Sequence, residues 1–88
     1  MRKFLLALIL ALGLFVNEAY SQYNKQFFYY VGREYLIDNR YREAIETLNV
    51  LLRFDPKAYE AYFLRGIAKY NLDDLLGAEA DFTSAIAL

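Results

Sequence analysis

Between Lys25 and Leu88, apolar side chains recur at three- and four-residue intervals in four successive stretches separated by short polar breaks. That spacing puts them on one face of a helix, and no stretch alternates with the period of two that a strand requires. The first stretch runs from Lys25 to Ile37 and carries Phe28, Val31 and Tyr35, with Gly32 between them. Asp38-Asn39-Arg40 breaks it. The second places Tyr41, Ala44, Ile45, Leu48, Leu51 and Leu52 on one face and Arg42, Glu43, Glu46, Asn49 and Arg53 on the other. It is the cleanest amphipathic helix in the chain. Asp55-Pro56 ends it, since proline disfavours helix in the residue before it and suits the first turn of the next helix.

The third stretch, Ala58 to Tyr70, carries Tyr62, Phe63, Gly66, Ile67 and Tyr70. Asn71 to Asp74 forms the next break, where Asp73 or Asp74 is placed to cap the following helix. Leu75 to Leu88 then carries Ala78, Phe82, Ala85 and Ile86. Breaks this short force consecutive helices to run antiparallel. The fold class predicted is all-α, built from two helical hairpins.

The two hairpins are copies of one unit. Gly32 and Gly66 lie 34 residues apart, and at the same offset Phe28 maps to Tyr62, Tyr29 to Phe63, Ala44 to Ala78, Leu48 to Phe82 and Leu52 to Ile86. Each glycine sits inside a helix, where it costs about 0.8–1 kcal/mol relative to alanine, so a close helix approach is expected there. Ala44 and Ala78 are the small residues expected to face them and let the helices nest.

The run Phe28-x2-Val31-Gly32-x2-Tyr35, then Ala44-x3-Leu48, then Pro56, resembles a tetratricopeptide repeat, and Tyr62-x2-Arg65-Gly66-x2-Lys69 with Ala78-x3-Phe82 and Ala85 resembles a second. The resemblance divides the chain into repeat 1 at 25–58 and repeat 2 at 59–88, with 22–24 as a short extension. It implies an α-solenoid of two antiparallel helical hairpins, with Phe28, Gly32, Tyr35, Ala44, Leu48, Pro56, Tyr62, Gly66, Ala78, Phe82 and Ala85 as packing residues. It also implies a concave groove lined by the first helix of each repeat, with Tyr29, Arg33, Leu36, Phe63, Ile67 and Tyr70 facing a protein or peptide partner. Arg65 and Lys69 depart from the pattern, which prefers apolar and aromatic residues there, and Leu51 stands where it favours a small one. Of Tyr29, Arg33 and Leu64, the positions matching a carboxylate clamp, only Arg33 is cationic, so that clamp is not expected. Leu75, Phe82, Ile86 and Leu88 would face a neighbour beyond the second unit, which implies a further repeat or self-association through the last helix.

The N-terminus reads differently. Arg2 and Lys3 precede an unbroken small and apolar run from Phe4 to Val16, followed by Asn17, Glu18 and Ala19-Tyr20-Ser21. A basic start, a 7–15-residue apolar core and small residues before a cut make a secretory signal peptide. The cut is predicted between Ser21 and Gln22, and the segment is expected as a signal-peptide helix preceding the two hairpins. Thirteen apolar residues at about 1.5 Å rise each are too short for a hydrocarbon core of about 30 Å, so a retained membrane anchor is the weaker alternative. The segment resembles signal peptides of Gram-negative bacteria, which implies an exported, periplasmic or secreted product.

Composition narrows the chemistry. With 58% hydrophobic and 18% aromatic residues the chain is far from the profile of a disordered segment. Net charge is −1, without a long block of either sign, so no footprint for nucleic acid is visible. Cys and His are both absent, which removes thiolate chemistry, the commonest metal ligand and the usual neutral-pH proton shuttle. The acidic pairs Glu43/Glu46, Asp73/Asp74 and Glu79/Asp81 fall on polar faces or at a turn, where a solvated surface is expected rather than acid–base catalysis. No cofactor is called for. The sequence predicts a protein-binding scaffold; the alternatives are a structural spacer or self-assembly segment, and a docking module for a catalytic domain beyond residue 88.

Overall fold

The computed structural model describes the backbone of residues 2–88 and the side chains of residues 2–8 and 24–88. Among these, all regular secondary structure is helical: α1 (Arg2–Ile37), α2 (Tyr41–Phe54), α3 (Tyr59–Asn71) and α4 (Leu75–Ala87). Helix α1 packs on α2, α2 on α3, and α3 on α4, with a smaller contact between α1 and α3. The molecule is elongated, 62 × 27 × 13 Å.

Helix α1 begins far ahead of the expected start near Lys25. From Leu14 to Val31 the sequence contains neither glycine nor proline, so nothing local interrupts the hydrogen-bond ladder. The predicted junction at Ser21-Gln22 therefore falls inside one helix, while the side chains of residues 9–23 lie outside the described residues. Phe4, Leu5, Leu6 and Leu8 are exposed. Among the described residues no helix is long and apolar enough to cross a membrane.

The turns inside the two hairpins, α1 to α2 and α3 to α4, share the same pair of closing bonds. After α1, the Asn39 amide donates to the Leu36 carbonyl at 3.1 Å and the Arg40 amide to the Tyr35 carbonyl at 2.8 Å. After α3, Asp73 donates to Tyr70 at 3.1 Å and Asp74 to Lys69 at 2.9 Å. Asn39 and Asp73 have φ of 61° and 63°, which makes each turn a Schellman motif. Asn and Asp tolerate this left-handed conformation because their short polar side chains bond locally.

The helix starts differ. The Asp74 carboxylate accepts from the Gly77 amide at 3.0 Å, capping α4, whereas Arg40 at the equivalent position of α2 offers no side-chain cap. Of the two aspartates expected to share the capping role, Asp74 takes it and Asp73 makes the turn. Pro56 lies in the link before Tyr59 rather than in the first turn of α3. Its carbonyl accepts the Tyr62 hydroxyl at 2.8 Å, and the Asp55 carboxylate accepts the Lys57 amide at 3.1 Å.

The core sits where α2 meets α3. Leu48, Leu51, Leu52 and Ala61 are buried together, with Phe28, Tyr29, Ala58, Tyr62 and Leu64 packed around them. Phe28 stacks on Phe54 at 6.1 Å between ring centroids. Ala44 and Ala78 are buried, but they are not what the glycines approach most closely. A methyl added at Gly32 would meet Leu48 Cδ2 at 2.8 Å, and one at Gly66 would meet Phe82 Cε1 at 2.7 Å. Each glycine thus seats the large side chain sixteen positions on, a lock the expected small-to-small contact did not foresee.

Candidate functional site

Helices α1 and α3 carry the candidate binding residues at equivalent positions. Tyr29, Arg33 and Leu36 follow i, i+4, i+7 along α1, and Phe63, Ile67 and Tyr70 repeat that spacing on α3. The spacing places each trio on one helical face. Arg33, Phe63 and Tyr70 are exposed, while Tyr29, Leu36 and Ile67 are half-buried. Tyr29 also packs on the core, so its ring is held in place.

Two apolar grooves lie beside this face. The larger, about 590 Å³, is lined by Tyr29 of α1, by Tyr59, Glu60, Phe63 and Leu64 of α3 and by Phe82, Ala85 and Ile86 of α4. The smaller, about 420 Å³, is lined by Lys25, Gln26, Tyr29, Leu51, Asp55, Ala58 and Glu60. Of the six predicted groove residues, Tyr29 and Phe63 line the larger groove together; Arg33, Leu36, Ile67 and Tyr70 line neither. The Phe63 ring leans on Phe82 at 5.8 Å between centroids. Lys25 reaches Asp55 at 3.9 Å, tying α1 to the link before α3. Glu60, as hydrogen-bond partner and neighbouring charge, pushes the Tyr59 phenol above its usual range.

The strongest polar feature is one that sequence reasoning missed. Asp81 is not solvated: only 4% of it is exposed. Its carboxylate accepts from Arg65 Nε at 2.8 Å and Nη2 at 2.7 Å, a bidentate pair, and from Lys69 Nζ at 3.1 Å. Arg65 Nη1 donates to Asn49 Oδ1 of α2 at 2.8 Å, and its guanidinium lies 5.4 Å from the Tyr62 ring centre. Burial pushes the Asp81 carboxyl up, and hydrogen bonds from Arg65 and Lys69 outweigh it, holding the group below the usual aspartate range.

The same cluster accounts for the departures at Arg65 and Lys69. In the first hairpin the equivalent positions are Val31, Tyr35 and Thr47, an uncharged set, and the Thr47 hydroxyl bonds its own helix at the Glu43 carbonyl, 2.8 Å away. In the second hairpin all three change together into an ionic cluster. The signal available in the sequence was that two cations out of pattern on α3 coincide with a carboxylate out of pattern on α4.

Comparison with protein-family models, curated proteins and solved structures finds no match for the chain.

Proposed function

We propose that residues 25–88 form a tetratricopeptide-type pair of stacked hairpins serving as a protein-binding module, and that residues 1–21 are a secretory address that exports it. The observation that carries the repeat reading is the recurrence, 34 residues apart, of the Schellman turns at Asn39 and Asp73. The lock of each glycine by a large side chain sixteen residues on recurs at the same offset and supports it further. Exposed Phe4, Leu5, Leu6 and Leu8 support the view that the N-terminal apolar run serves export rather than the packed unit.

Binding would use the α1 and α3 face. Tyr29 and Phe63 offer rigid aromatic area beside an apolar groove, and exposed Arg33 supplies a cation able to orient a partner's carboxylate or carbonyl. Tyrosine and arginine are the residues that dominate binding energy in such contacts. The test is a peptide library panned against the protein. Recovered binders lose at least about tenfold in affinity, or about 1.4 kcal/mol, against the Tyr29→Ala/Arg33→Ala variant with helicity unchanged. Undiminished binding removes this face from consideration. Export is tested separately by N-terminal sequencing of the secreted product, which should begin at Gln22.

A further inference from the structure

Tyr29 and Glu60 line both grooves, so this pair forms the rim between them. The smaller groove is walled by α1, the end of α2, the link through Asp55 and Ala58, and the first turn of α3. Its charges do not cancel. Lys25 is matched by Asp55 at 3.9 Å, which leaves the Glu60 carboxylate over. Among the described residues no lysine or arginine forms a salt bridge with Glu60. Residues 9–23 contain neither residue type and supply no such partner. Arg33, one turn beyond Tyr29 along α1, lines neither groove.

The rest of the lining says what kind of cation fits. Leu51 is buried at the groove, Ala58 is half-buried, and the Tyr29 ring is held by the core. A side chain suited to these walls has an aliphatic stem for Leu51 and Ala58 and a cationic head that can reach Glu60 and the Tyr29 ring. Lysine and arginine have that form. A carboxylate would meet like charge here, and a wholly apolar side chain would desolvate Glu60 without giving it a counter-ion.

We propose that the smaller groove reads a lysine or arginine side chain of the partner peptide, with Glu60 as its counter-ion and Tyr29 as the surface it lies on. The proposal rests on the protein-binding reading and adds a requirement on the partner: a basic residue, besides the group that Arg33 orients.

A peptide library panned against the full chain tests it. Recovered binders should share a lysine or arginine, and their affinity should fall as sodium chloride is raised. Changing that residue to glutamate, or Glu60 to lysine, should each weaken binding at least about tenfold. The glutamate peptide should bind the Glu60→Lys variant more tightly than it binds the parent, a reversal that no folding defect produces. Glu60 also stands in the first turn of α3, where a carboxylate suits the helix dipole. Urea unfolding separates the two roles: Glu60→Lys that loses stability but not affinity assigns the carboxylate to the helix alone and overturns the proposal. Binders with no common basic residue overturn it too. If such binders still weaken with Tyr29→Ala/Arg33→Ala, only the groove assignment falls; if panning recovers no binder, the binding face falls with it.

Discussion

Removing the Asp81 carboxylate should be among the most damaging single changes in the second hairpin. Asp81→Ala deletes three charge-assisted hydrogen bonds at once, from Arg65 Nε, Arg65 Nη2 and Lys69 Nζ. Breaking a fully buried ion pair by removing one partner costs about 3–5 kcal/mol, mostly because the remaining charge is left uncompensated. Here the stranded cations are not fully buried: the Arg65 and Lys69 side chains are 18% and 23% exposed, and Arg65 keeps Asn49 and the Tyr62 ring. The expected loss is therefore about 2–3 kcal/mol, a large share of the ~5–15 kcal/mol of a typical domain. Urea unfolding followed by circular dichroism at neutral pH reads it as a midpoint lowered by about 1–3 M for an m-value of about 1–2 kcal/mol per molar. Replacing the whole cluster by its first-hairpin counterparts, Arg65→Val, Lys69→Tyr and Asp81→Thr, should recover most of the loss, since a buried ion cluster rarely outperforms well-packed uncharged groups. A cost under about 0.5 kcal/mol for Asp81→Ala is the size expected of a surface pair and would refute the buried-cluster reasoning.

The same carboxylate gives a pH dependence of known sign. Its folded-state pKa is depressed, so its contribution is complete above the ordinary aspartate value near 3.9 and is lost as pH falls through the folded-state value; acid unfolding of Asp81→Ala should lack that component. Gly32→Ala should destabilise by about 1–2 kcal/mol, because the new methyl meets Leu48, fully buried and packed in the core, and overpacking exceeds the helix-propensity gain. Gly66→Ala should be within about 0.5 kcal/mol of neutral, because the half-exposed Phe82 ring has room to swing away; thermal melts of the two variants distinguish the sites. Asp74→Ala should cost about 1 kcal/mol through loss of the cap on α4, and Arg40→Asn should change stability by less than about 0.5 kcal/mol, because the cap it supplies is offset by losing the Glu43 pair and the Tyr35 ring contact; urea unfolding measures both.

Most of the helical layout was legible because it rests on local rules. Three- and four-residue spacing located α2, α3 and α4 within a residue or two, and short polar breaks located the turns. Position in three dimensions was less legible. Asp81 sits beside Glu79 in a stretch that reads as polar surface, and its burial follows only once α3 is laid against α4 and two cations reach it. The partner of each glycine was likewise a question of crossing geometry, which fixes Leu48 and Phe82 rather than Ala44 and Ala78 as the closest neighbours. The continuity of the expected signal-peptide helix with the helix expected from Lys25 was missed, because the composition changes near Ser21 while the backbone propensity does not. Of the candidate binding face, the sequence supplied the two trios and their equivalence; it could not tell that Tyr29 is shared with the core.

A chain built from two hairpins of the same pattern faces a hazard that unlike elements avoid, since either second helix could collapse onto either first helix. The charges on α3 and α4 remove that ambiguity. Were α4 to take the place of α2 against α1, Asp81 would meet Val31 and Tyr35 in place of Arg65 and Lys69; were α2 to take the place of α4 against α3, Arg65 and Lys69 would meet Thr47 in place of a carboxylate. Each swapped arrangement gives up the bidentate Arg65–Asp81 pair and the Lys69 contact, which the correct one keeps. Erasing that mark should leave a chain nearly as stable but more prone to exchange segments between molecules while it folds.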